Sequence, residues 1–179
     1  MKRKPLLPGL MAACLLFSGA NAAGHGPGNP IRAGQLWVML STSKLDPSIS
    51  TIMTFRTVGA TRGGRHVLGE DATGLGGQSI VIDYDPATEV IVVTDRTPTV
   101  YKSKNIRLCA FDVKEPGEVY QGRAAHFAAS KKPAEFGAFF KGWAASHPKA
   151  SVQDGVAAYT QALAPTDNAP CKLELAVLP

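Results

Sequence analysis

SIVIDYDPATEVIVVT, Ser79 to Thr94, is the stretch on which the fold turns. Its two arms, Ser79–Tyr84 and Glu89–Thr94, are rich in Ile and Val, the branched side chains that suit a pleated strand. Between them stands Asp85-Pro86-Ala87-Thr88. Asp opening the turn and Pro following it are what a type I turn favours. The spacing predicts a β-hairpin, and the chain on either side repeats the pattern.

Upstream, Leu36–Leu40 is an apolar run containing Trp37. Ile52–Val58 alternates, with Ile52, Thr54, Arg56 and Val58 on one face and Met53, Phe55 and Thr57 on the other. His66–Leu68 reads as a short strand, and Glu70–Gln78, holding Gly74, Gly76 and Gly77, as a loop. Downstream, Arg96-Thr97-Pro98 breaks the chain. Val100–Lys102 and Ile106–Val113 then read as strands, and Glu115-Pro116-Gly117 turns the chain into Val119–Phe127.

Beyond Ser130 the apolar period lengthens. Phe136, Phe139, Phe140 and Trp143 fall at i, i+3, i+4 and i+7, one face of a helix between Pro133 and Pro148. A second helix begins at Ser151, with Asp154 placed for a capping box and Val152, Val156, Tyr159 and Leu163 as its stripe; Pro165 ends it. Leu173, Leu175 and Val177 alternate with polar or small neighbours in a last strand. The fold class expected is α+β: a mainly antiparallel barrel- or sandwich-like sheet with a two-helix insertion, residues 133–164, before the last strand.

The N-terminus has the order of a secretion signal. Lys2, Arg3 and Lys4 precede an apolar stretch from Leu6 to Phe17, and Ala20-Asn21-Ala22 gives small residues at a cleavage site. That apolar run is shorter than the roughly 20 residues a spanning helix needs. Residues 1–22 are expected to be removed, 23–33 (AGHGPGNPIRA) to be a flexible leader, and 34–179 to form one domain. Acylation at Cys14 is the alternative; the apolar run continues past it through Leu15, Leu16 and Phe17, where an acylated chain would turn polar. An extracytoplasmic location, periplasmic or secreted, follows.

Cleavage changes the charge. Of 19 Lys and Arg against 14 Asp and Glu, three leave with residues 2, 3 and 4, so the +5 chain becomes 16 against 14, or +2. Nothing in that balance is a nucleic-acid footprint. In an oxidising compartment Cys109 and Cys171 are an even pair, and a disulfide between them is expected.

The common chemistries lack their residues. Gly74–Gly77 leads to Gln78 and Ser79 rather than to the Lys and Ser/Thr of a phosphate loop, and then to a strand. No nucleophile-elbow motif surrounds Ser79. His25, His66, His126 and His147 have no metal-ligand spacing. Asp83, Asp85 and Glu89 cluster at the hairpin turn, where oxygen ligands suit calcium, though Asp85 also suits the turn itself. No cofactor is expected. The remaining candidate site is the aromatic face Phe136, Phe139, Phe140 and Trp143. An amphipathic helix in a small domain ordinarily packs such a face as core, here on the open end of the sheet; the alternatives are a lid on an apolar ligand and a surface for an envelope protein. The first expectation is therefore an exported, non-catalytic binding module holding a small apolar ligand. The alternatives are a structural or interaction protein of the cell envelope, and a hydrolase without a short motif.

Overall fold

A computed structural model describes residues 30–42, 50–60, 66–71, 80–96, 105–114, 117–128, 130–163, 165 and 167–176. The expected signal, His25, Val100–Lys102 and the glycine loop 74–77 lie outside them. Eight strands follow in chain order: β1 Leu36–Thr42, β2 Ser50–Ala60, β3 His66–Asp71, β4 Ile80–Asp85, β5 Val90–Asp95, β6 Asn105–Asp112, β7 Val119–Ala128 and β8 Asp167–Leu175. Two helices, α1 Phe136–Ser146 and α2 Val152–Ala162, stand between β7 and β8. Each strand pairs antiparallel with the next, and β8 pairs with β1 to close a barrel. The sheet is thus a barrel rather than a sandwich. Closure leaves no long unpaired edge among the described strands.

The hairpin forms with a loop of the expected length, placed one residue later than the sequence suggested. Asp85 pairs with Val90, so four residues, 86–89, make the connection. Glu89 takes a left-handed backbone (φ 56°) and its N–H donates to the Asp85 carbonyl at 2.9 Å. A type I turn alone would splay the arms; an added left-handed residue restores the strand twist.

Strand alternation sorts two faces. Met53, Phe55 and Thr57 of β2 are buried, whereas Ile52 is 66% exposed. Trp37 and Met39 of β1, Ile80 and Ile82 of β4, Ile91 and Val93 of β5, Cys109 and Phe111 of β6, Tyr120 and Ala124 of β7, and Ala169, Cys171 and Leu173 of β8 join one interior cluster. Ile31, inside the stretch expected to be a loose leader, is buried in it too. Thr57 holds that segment in place: its hydroxyl accepts from the Gln35 N–H at 3.0 Å and donates to the Arg32 carbonyl.

The last strand begins six residues before the alternation at Leu173 made it visible, and it runs through Pro170. Proline has no N–H for a ladder and is tolerated at an edge. Pro170 meets that condition, because β7 pairs with β8 over residues 167–174 whereas β1 pairs only with 171–175. The first helix starts at Phe136, later than Pro133 suggested, and Glu135 at its N-cap makes no side-chain cap bond. The second starts as expected, with Ser151 and Asp154 forming a reciprocal capping box.

Candidate functional site

The helical hairpin lies against the outer wall of the barrel and does not cover an end. Val90 and Val92 of β5, Leu108 and Ala110 of β6, and Ala125 and Phe127 of β7 alternate with the interior residues and so point outward. Phe136, Val156, Tyr159 and Leu163 bury against them in a second apolar cluster. Two polar contacts fix the hairpin: the Tyr159 hydroxyl donates to the Ala134 carbonyl at 2.8 Å, and Lys131 Nζ donates to the Leu163 carbonyl at 2.8 Å. Burial pushes the Tyr159 hydroxyl up to about 12. Tyr159→Phe is expected to lower stability by about 1 kcal/mol, the net worth of one such bond, in urea denaturation.

Of the four rings singled out in the sequence, Phe136 is buried core and Phe139, Phe140 and Trp143 are half-buried. The rings form a continuous ladder. Phe139 and Phe136 each meet Tyr159 edge-on at 5.3 Å, Phe136 stacks on Phe140 at 5.7 Å, and Phe140 meets Trp143 at 5.9 Å. His147, exposed, stacks on Trp143 at 4.5 Å. Gly155 makes this possible. A Cβ there would lie 2.3 Å from Phe140 Cδ2, so the ring rests on the bare backbone of α2. The ladder leads from the outer-wall core to the surface at Trp143 and His147.

Beside it, the start of α1 and the β4–β5 hairpin enclose a groove of about 230 Å³. Its floor is Val90, Val92 and Phe136, and Asp83, Asp85, Glu135 and Lys141 stand on its rim. The Asp85 carboxylate sits over the first turn of α1, where a Cβ on Gly137 would come within 2.8 Å of Oδ1. A carboxylate is favourable at that positive helix end, and it stands where Glu135 supplies no cap. Asp85 also accepts from the Thr88 hydroxyl at 2.5 Å. Among the described residues no group of three His, Cys, Asp or Glu is gathered for a metal ion.

A second polar feature was not legible in the sequence. Asp95, Arg107, His126 and Asp167 are successive register partners across β5, β6, β7 and β8. Each stands two residues from an interior side chain (Val93, Cys109, Ala124 or Ala169), so the row faces inward at one end of the barrel. Arg107 Nη2 contacts Asp95 Oδ2 at 3.3 Å. His126 is held below the ordinary histidine range, first by burial and then by the Arg107 charge, against the opposing pull of Asp167 and Asp95. No hydroxyl or thiol belongs to this row. Its arrangement is that of a cross-strand ion-pair ladder. A lowered folded-state value means the unfolded chain takes up the proton first. The contribution of His126 is therefore complete above about pH 6.5 and is lost as pH falls below it. Chemical denaturation at pH 7.5 and 5.5 is expected to show this loss, and His126→Gln to remove its share. His66 opens β3.

Cys109 and Cys171 are free thiols in the structure, both buried, on the two strands that flank β7. The expected disulfide is not formed there. Cys109 stands opposite Ala124 and Cys171 opposite Gly122. Burial pushes the Cys171 thiol far up, and a hydrogen bond with Cys109 adds to it, which leaves it a poor nucleophile and metal ligand.

Comparison with protein families, with curated proteins and with solved structures finds no match to this chain.

Proposed function

We propose that this is an exported, non-catalytic interaction protein that meets a partner protein on the outer face of its helical hairpin. One observation carries the reading: side chains fill the barrel. Met39, Phe55, Ile80, Ile82, Ile91, Val93, Cys109, Phe111, Ala124 and Leu173 each have 0% exposure, so no space beside them admits even a water molecule. An apolar ligand would have to displace this core. The groove at α1, about 230 Å³, falls below the roughly 300–1,000 Å³ of ordinary ligand pockets, and two grooves of about 310 and 380 Å³ beside Gln121 and Gln153 stand at the bottom of that range, lined largely by polar side chains such as Asp112, Gln121 and Gln153. The aromatic ladder, in contrast, reaches the surface at Trp143, and aromatic rings are enriched at protein interfaces.

Export rests on residues 1–22. In the oxidising compartment to which they direct the chain, Cys109 and Cys171 form a disulfide, and the neighbouring thiols described above are its reduced state.

The test is a photo-cross-linking residue at position 143 in the full chain expressed in its own cell envelope, with a second at exposed position 52 as control. A discrete adduct from 143 and none from 52 is the expected result. Native mass spectrometry of the envelope-purified protein supplies the opposing outcome. A stoichiometric apolar mass that leaves on denaturation would overturn the interaction reading in favour of a ligand carrier. A reporter enzyme that is active only outside the cytoplasm, fused after residue 30, tests the signal separately.

A further inference from the structure

We infer that the Cys109–Cys171 bond is made before β8 closes the barrel, by exchange with an external disulfide donor acting on the still-open chain. The inference rests on the exported, oxidised reading above and adds an order of events to it.

Three observations on the structure lead here. First, the closed barrel seals both sulfurs: Cys109 is 0% and Cys171 3% exposed. Thiol–disulfide exchange needs a thiolate in line with the donor's sulfur–sulfur bond, so a donor has no approach to either atom. Secondly, β7 lies between the two cysteines. In the closed barrel the Cys171 and Cys109 thiols are nonetheless hydrogen-bonded over it, so the wall already brings the two sulfurs together. The residues of β7 opposite the two cysteines are Gly122 and Ala124, the smallest available, so the path over β7 is not blocked by a large side chain. Thirdly, β8 is anchored on both sides. It pairs with β7 from Asp167 and with β1 from Cys171 onward. Once both pairings are made, β8 holds Cys171 inside the sealed barrel; while β1 is absent, β8 is an open edge and a donor can reach the sulfurs. The β1–β8 pairing also joins the two ends of the domain, Trp37 to Leu175, the longest loop closure in the fold.

The chemistry balances with the donor as oxidant. The thiolate of one cysteine attacks the donor disulfide, forms a mixed disulfide and expels one donor thiol. The second cysteine's thiolate attacks the mixed disulfide and expels the other. The pair gives up two electrons and two protons, which leave in the two donor thiols.

The experiment is an order-of-addition test on the full mature protein, unfolded, reduced and returned to native buffer. Oxidised glutathione is added either before refolding or after refolding is complete, and the bond is read as the loss of two hydrogens in the intact mass. Addition before refolding is expected to give the oxidised form in high yield, and addition afterwards to be slower by roughly a hundredfold or more, since the sulfurs react only through opening of the barrel. Equal rates in the two orders would overturn the order of events while leaving the disulfide itself intact. Reduced cysteines in the envelope-purified protein, alkylated without prior reduction, would overturn the disulfide. A reduced protein that does not refold also leaves a reading, because the bond then precedes closure by necessity and only the first order gives native protein.

Discussion

Gly122→Ala is expected to destabilise the protein by about 3 kcal/mol or more, although it adds a single methyl group. A Cβ at this position would lie 2.3 Å from the Ala110 carbonyl oxygen and 2.6 Å from Phe111 Cδ1. The first contact is with the backbone of β6, which is held by β5 on its other side and cannot step aside alone. The second is with a ring that has no free space around it. Relief requires β6 and β7 to separate, at the seam that also carries the Arg107–His126 pair. Total stabilities run to about 5–15 kcal/mol, so this one change removes a large fraction. Gly155→Ala is the internal control. Its Cβ would clash with the Phe140 ring, which is half-buried and can rotate outward, and would meet Trp143 Cζ3 at an ordinary 3.5 Å. Its cost is expected near 1–2 kcal/mol, with the barrel intact. Guanidinium denaturation of both variants checks the contrast. Equal losses would mean that Gly122 does not hold the two strands in contact.

Glycine at 122 also shows what a sequence reading can and cannot reach. The strand Val119–Phe127 was visible from its β-forming residues and from the turn before it. The meaning of Gly122 was not, because it depends on the partner strand's register, which no local pattern encodes. The same holds for the charged row. Asp95, Arg107, His126 and Asp167 are scattered over more than seventy positions of the sequence and meet only through ladder pairings. The strands themselves were legible because alternation is a one-strand property. The hairpin's helices were legible through the spacing of Phe136, Phe139, Phe140 and Trp143 and through the Ser151–Asp154 cap. Where that aromatic face would go was not. A helix stripe announces burial but carries no address, and here its address is the outer wall at Val90, Leu108 and Phe127 rather than the barrel's end. Strands β5, β6 and β7 are apolar on both faces where the hairpin covers them. Val90–Val93 is an unbroken apolar run, and such a run signals cover on both sides of a sheet. That run was in the sequence, and it was the available clue to the hairpin's seat.

Phe111→Ala is expected to cost about 3–5 kcal/mol, the range for removing a fully buried aromatic ring. Phe111 lies in the interior cluster with 0% exposure, and its ring covers the bare backbone at Gly122. The two predictions are coupled, and the coupling separates the two clashes. If the ring carried the whole conflict at Gly122, the double variant would be no less stable than Phe111→Ala alone. The closer contact is with the Ala110 oxygen, so only part of the loss is expected to be recovered. The double variant should be about 1–2 kcal/mol more stable than the sum of the singles predicts. The same variant bears on function. Deleting the ring leaves an apolar void in a core that otherwise has none beside these residues, and dry voids of that kind take up small apolar molecules such as benzene. Benzene should therefore raise the thermal midpoint of Phe111→Ala and leave that of the natural protein unchanged. A stabilising response from the natural protein would mean that its interior already yields to an apolar guest. The barrel, rather than the aromatic ridge outside it, would then be the place where this protein binds.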